Sequence, residues 1–195
     1  FVPTRSRATK QPGPWPSGWR RSGLLPGVAG GLSEAGGVQL DRTLWLVGGR
    51  TADGPTTAVY RVDLGDGSAE VVVPAGAVPA GRTSPAVAYD PAGRRLLVYG
   101  GLDSYGRGST EVWAFDPAAR AWSLLAPPCT GDSCTPATGH EMLTVSRPGG
   151  TLSVVADPLT TNPATASWTL AEGSWQSAGE RAAGPSAGVE LPDES

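Results

Sequence analysis

Apolar and polar positions alternate along this chain in short bursts separated by Gly, Pro and Asp. In Ser84–Gly101, SPAVAYDPAGRRLLVYGG, two bursts flank a turn at Asp90–Gly93 and end on a glycine pair. Successive side chains of a strand point to opposite faces, so the pattern predicts two paired strands rather than a helix. His140–Asp157, HEMLTVSRPGGTLSVVAD, aligns with that segment without a gap, 56 residues further on. Gly37–Gly49, GVQLDRTLWLVGG, is an earlier copy with a turn two residues shorter. The pairs Gly48–Gly49 and Gly100–Gly101 lie 52 residues apart, and Ala156–Asp157 take that place in the third copy.

Each copy is followed by a second alternating unit. Tyr60–Asp63, Trp113–Asp116 and Trp168–Ala171 begin 11, 12 and 11 residues after the pair position. Turns at Leu64–Ser68, Pro117–Arg120 and Glu172–Gly173 lead into final strands at Glu70–Val73, Ala121–Leu125 and Ser174–Ser177, with Trp122 and Trp175 in the last two. A unit of about four strands over roughly 50 residues has the size of a propeller blade. One small sheet cannot bury both its faces, so such units must stack, and large rigid aromatics fill the space between them. Gly ends a strand where a side chain would obstruct a tight bend or a close neighbour.

These residues resemble the kelch repeat family. The resemblance rests on LWLVGG and LLVYGG, on the aromatic about 12 residues later, and on the spacing Gly101, Trp113, Trp122. It covers about 27–191 and is most specific in the middle copy. The basic residue and His that usually open the family's first strand have counterparts here only in Arg82 and His140. The resemblance implies an all-β, kelch-type β-propeller segment, with blades at about 27–76, 82–127 and 139–178 and the first strand of another at 184–195. Gly48, Gly49, Tyr60, Gly100, Gly101, Trp113, Trp122, Trp168 and Trp175 are its structural repeat positions. Family propellers close with five to seven blades, so the expectation is a fragment of a larger ring. Its remaining blades lie in a longer chain, or it self-associates.

Composition sharpens this picture. Gly (28) and Pro (19) make up about a quarter of the 195 residues, roughly twice ordinary usage. The longest stretch free of both is Val38–Val47, ten residues, which excludes a helical bundle or coiled coil. No apolar run approaches the length of a membrane-spanning helix, and no charged-then-apolar signal peptide opens the chain. The first residue is Phe1, so the chain is expected to be processed or cut from something longer. Only Lys10 among the 15 basic residues is Lys, a bias of GC-rich genomes.

The net charge of −3 does not point to a nucleic-acid partner. It is unevenly spread: residues 1–21 hold Arg5, Arg7, Lys10, Arg20 and Arg21 with no acid. A basic arm can touch polyanions or lipid head groups, but Gln11–Gly18, QPGPWPSG, has linker composition. Residues 1–24 are therefore read as a leader, or as the end of a preceding blade with Trp19 as its closing-strand Trp. Cys129 and Cys134, in APPCTGDSCTP, have the spacing of a short disulfide ring. A disulfide implies an extracellular or cell-envelope location; free thiols in a cytosolic protein are the alternative. Two thiolates and one distant His do not complete a zinc set.

Chemistry is sought on one face. In an antiparallel four-stranded blade, the second-to-third loops and the inter-blade connections emerge together, and kelch proteins commonly bind partners there. Candidate contacts are Arg50, Asp53, Arg82, Asp103, Tyr105, Arg107 and His140. Asp103–Arg107 stands out for an aromatic and both charge signs on a Gly-hinged loop, residue types favoured in binding surfaces. No GxSxG elbow, P-loop, HExxH or GxGxxG occurs. His140, the one His, is read as packed or capping, so no catalytic residue, metal or cofactor is assigned. The expected function is non-enzymatic binding of a protein or glycan. The alternatives are a structural array without a ligand, or part of an exported propeller enzyme, galactose oxidase-like or sugar-processing, whose catalytic residues lie outside this chain. Galactose-oxidase-like enzymes hold copper with His and Tyr pairs, which a single His cannot supply.

Overall fold

The computed structural model describes residues 25–28 and 30–127 in full, and strands at 141–146, 151–156, 164–171 and 174–182 as backbone. The leader at 1–24, the further strand at 184–195, Cys129, Cys134 and His140 lie outside the described residues.

Every described regular element is a strand. The first unit holds β1 (Gly36–Leu40), β2 (Thr43–Val47), β5 (Val59–Asp63) and β6 (Ala69–Val72), paired in the order β1-β2-β5-β6. A small hairpin, β3 (Arg50–Thr51) and β4 (Gly54–Pro55), fills its second-to-third connection. The second unit holds β7 (Ala86–Asp90), β8 (Arg95–Tyr99), β9 (Val112–Asp116) and β10 (Ala121–Ala126). The third holds β11 (Glu141–Ser146), β12 (Thr151–Ala156), β13 (Ala164–Ala171) and β14 (Ser174–Ala182). All pairings within these sheets are antiparallel between neighbouring strands. Three successive four-stranded meanders are the blade construction that the repeat predicts.

The alternation sets each sheet's register. Val38 stands opposite Trp45, and Val47 opposite Val59, itself opposite Val72. These side chains share one face of the first sheet. Leu96 opposes Phe115, which opposes Trp122, on one face of the second. The two faces meet in a single cluster of Trp45, Val47, Val59, Val72, Leu96, Val98, Phe115 and Trp122. Phe115 lies 5.0 Å from Trp122 and 6.3 Å from Trp45, tilted to both, and Trp113 meets Trp122 edge-on at 6.4 Å. Tilted and edge-on rings match the aromatic quadrupole and fill the gap between sheets. The opposite face of the second sheet is also buried, through Leu97, Tyr99, Val112 and Ala114, and β11 runs close to β7 and β8.

Strand ends are made by Asp. Asp116 Oδ1 accepts the N–H groups of Ala118 and Ala119, and Asp63 Oδ1 accepts that of Gly65. Asp90 Oδ1 accepts from Ala92 and Gly93, while its Oδ2 meets Arg95 at 3.0 Å. Such side-chain caps replace the ladder bonds lost at a turn. Burial pushes the Asp90 carboxyl up, but the Gly93 amide, the Arg95 guanidinium and the Ala92 amide outweigh it and hold it below the usual range.

Each glycine pair lies against the segment by which the chain enters its own unit. Gly49 (φ +100°) and Gly101 (φ +85°) have left-handed backbones, and a Cβ on either would lie 2.7 and 2.8 Å from the carbonyl oxygens of Ser33 and Thr83. In the third unit the pairing extends beyond the expected strands. β13 starts at Ala164 and β14 runs to Ala182, with a bulge between Ser167 and Trp168. Small residues there give weak alternation, and the ladder follows backbone pairing instead.

Candidate functional site

The β8–β9 connection forms a self-organised loop. Leu102 and Thr83 exchange backbone hydrogen bonds of 2.8 and 2.9 Å, which ties the start of the loop to the segment that leads into β7. Leu102 also bridges to Gly108 across the loop. Between them, Asp103 Oδ1 accepts the amides of Tyr105 (2.8 Å) and Arg107 (2.9 Å). Asp103 Oδ2 accepts from Arg107 Nε at 2.8 Å and lies 2.8 Å from Nη2. Gly106, at φ +74°, makes the reversal that brings Arg107 back over Asp103.

The electrostatics follow from this wrapping. Asp103 sits below the usual carboxylate range, first because of the Arg107 amide, with partial burial opposing and the Arg107 guanidinium and Tyr105 amide reinforcing the shift. The guanidinium carbon lies 4.9 Å from the Tyr105 ring centroid, a cation–π contact. Tyr105 is 81% exposed, more than any other large apolar or aromatic side chain among the described residues. The sequence pattern anticipates this grouping; the structure adds that the acid is turned inward and the ring outward.

The other candidates divide. Arg50 pairs with Glu34 at 3.5 Å, both about half-exposed, at the start of the β3–β4 hairpin. Asp53 lies exposed in the turn of that hairpin, its amide on Thr51 Oγ1. By strand direction this hairpin and the Asp103 loop emerge on the same side of their sheets. Arg82 is placed elsewhere: its side chain is 5% exposed and lies at the base of the β8–β9 connection. Its Nη1 donates to Gly100 O (2.9 Å), its Nη2 to Glu111 Oε2 (3.0 Å), and its Nε to Ala80 O (3.2 Å). Glu111 Oε2 accepts Trp113 Nε1 as well, at 3.0 Å. Arg82 thus ties the two ends of the Asp103 loop together at their base. Glu111 is the member that sequence reasoning missed. Its position two residues before a repeat Trp is the one available signal.

A concavity of about 360 Å³ lies between the first sheet and the β9–β10 turn, lined by Trp45, Arg61, Glu70, Val72, Pro117, Ala118 and Arg120. It is on the side away from the Asp103 loop, and the Arg61–Glu70 pair (3.5 Å) occupies part of its wall.

Successive four-stranded antiparallel sheets, the first two with a glycine pair after the second strand, define an all-β protein of the propeller-blade class. Within it, residues 92–128 match the family model of the Kelch motif, a span holding β8, β9, β10, the pair Gly100–Gly101, Trp113 and Trp122. No curated protein matches the chain.

Proposed function

We propose that this chain is a protein-binding scaffold that engages its partner through the side bearing the Asp103 loop. The observation that carries the reading is an aromatic ring 81% exposed on a loop that is internally braced rather than floppy. Bracing lowers the ordering cost of association, and Tyr and Arg are the residue types that dominate binding hot spots. The kelch motif supports the same reading, because repeats of this kind generally mediate protein interactions. The test compares proteins retained by the tagged chain and by its Asp103→Ala/Tyr105→Ala/Arg107→Ala variant. The variant keeps its melting midpoint and loses the specifically retained partner. Equal retention by both chains overturns the reading.

A further inference from the structure

The concavity on the side away from the Asp103 loop has a charge pattern that the sheet itself does not require. In the first sheet Trp45 stands opposite Arg61, and Arg61 opposite Glu70, so the three form a row across β2, β5 and β6. Val72, two residues after Glu70, shares their face. Trp45 and Leu97 both stand three residues before their glycine pairs. The row that starts at Leu97 continues through Ala114 and Ser123, so the second sheet has no charge at the places of Arg61 and Glu70. Arg61 and Glu70 put charge toward the turn end of a face that elsewhere carries Val47, Val59 and Val72.

The opposite wall is the β9–β10 turn, which supplies Pro117, Ala118 and Arg120. Asp116 Oδ1 caps the amides of Ala118 and Ala119. Arg120, at φ 51°, accepts the Ala75 amide on its carbonyl at 2.9 Å. That bond ties the chain leaving β6 to the turn, so the two walls are linked before a ligand arrives. Two guanidinium groups line the space against one carboxylate. The Arg61–Glu70 contact is long, 3.5 Å, with side chains 43% and 46% exposed, so Arg61 keeps donors to spare. The Arg120 guanidinium makes no ion pair or side-chain hydrogen bond among the described residues. Two arginines on facing walls repel unless an anion comes between them.

We infer that this concavity binds a monocarboxylate carried on a short apolar stem. The carboxylate takes donors from Arg61 and Arg120, and the stem lies against Trp45, Val72 and Pro117. A volume of about 360 Å³ suits a ligand of that size. A single negative charge matches the lining, because Glu70 offsets one of the two arginines and would repel a second charge on the ligand. The same group is offered by a free organic acid or by a Glu side chain of an extended peptide. The site is separate from the Asp103 loop, and the variants below leave that loop intact.

The 195-residue chain is titrated with 3-phenylpropanoate and, separately, with its amide, following the Trp45 indole N–H and the Arg61 and Arg120 Nε–H resonances. The acid is expected to shift all three with a dissociation constant of about 1 mM, at least about tenfold tighter than the amide. Arg61→Gln and Arg120→Gln each weaken it at least about fivefold and keep the melting midpoint within about 2 °C. Glu70→Gln does the reverse: it frees Arg61 and removes a competing charge, so the acid binds about threefold more tightly. A purely structural role for Glu70 would not tighten binding. Equal affinity for acid and amide, no response of the three resonances up to about 10 mM, unchanged affinity in Arg120→Gln, or weaker binding in Glu70→Gln overturns the inference. Once the acid binds, acetyl-Ala-Glu-Ala-amide and its Gln counterpart separate the sources. Displacement by the Glu peptide alone assigns the site to a peptide side chain, and displacement by neither assigns it to a free acid. Displacement by both peptides shows that the carboxylate is not what is recognised, and overturns the inference.

Discussion

Arg82→Met tests the account of how the base of the Asp103 loop is held. Methionine keeps most of the buried stem but deletes three donors, those to Gly100 O, Glu111 Oε2 and Ala80 O at 2.9, 3.0 and 3.2 Å. Glu111 keeps the Trp113 indole N–H at 3.0 Å but loses its counter-charge. Breaking one partner of a buried ion pair costs roughly 3–5 kcal/mol, chiefly because the other charge is left uncompensated. The Glu111 side chain is 23% exposed against 5% for Arg82, so water relieves part of that penalty. The expected loss is therefore near the lower end, about 3 kcal/mol, or roughly 6–12 °C in melting midpoint for a chain of this size. Urea unfolding followed by Trp fluorescence reads it, since Trp113 and Trp122 sit at the junction. Glu111→Gln removes the orphaned charge, so the double variant recovers part of the loss, with a coupling of at least about 1 kcal/mol in a double-mutant cycle. Arg50→Met, which breaks the half-exposed pair to Glu34, is the surface comparison, expected below about 1 kcal/mol. An Arg82→Met loss no larger than that of Arg50→Met, or additive single effects, refutes the reasoning.

Three further outcomes are expected. Gly101→Ala forces a side chain into a left-handed backbone and to 2.8 Å from Thr83 O, and should destabilise by roughly 1–3 kcal/mol; a neutral result in thermal melts contradicts the close approach. The Asp103 carboxyl is held low in the folded loop, so its contribution to loop order is fully present above the unfolded pKa of about 3.9 and is lost as pH falls through the lower folded value. The Tyr105 and Arg107 amide resonances should shift over that acid range and stay flat in Asp103→Asn; the same titration in both chains rejects the assignment. Finally, the spacing of Cys129 and Cys134 predicts no alkylated thiols in denatured, unreduced protein and two after reduction, by mass; two before reduction excludes the bridge.

Much of the fold was legible in the alternation of single residues. SPAVAYD and RRLLVYGG specify paired strands because a half-buried strand needs period two, and Asp90, Asp116 and Asp63 specify turns because a short carboxylate can cap the amides that follow. The Asp103 loop was legible for the same reason: its bonds span at most four residues. Arg82 was not. A basic residue before a strand reads as a surface contact, and its burial depends on Glu111, 29 residues away. Nor could the sequence rank the faces of the first sheet. LWLV places Leu44 and Leu46 on one side and Trp45 and Val47 on the other, all apolar. Local pattern decides that a side chain alternates; which side is sealed is decided by the neighbouring sheet, since burial belongs to the pair of surfaces and not to either strand alone. Here the stack covers Trp45 and Val47 and leaves Leu44 and Leu46 half-open.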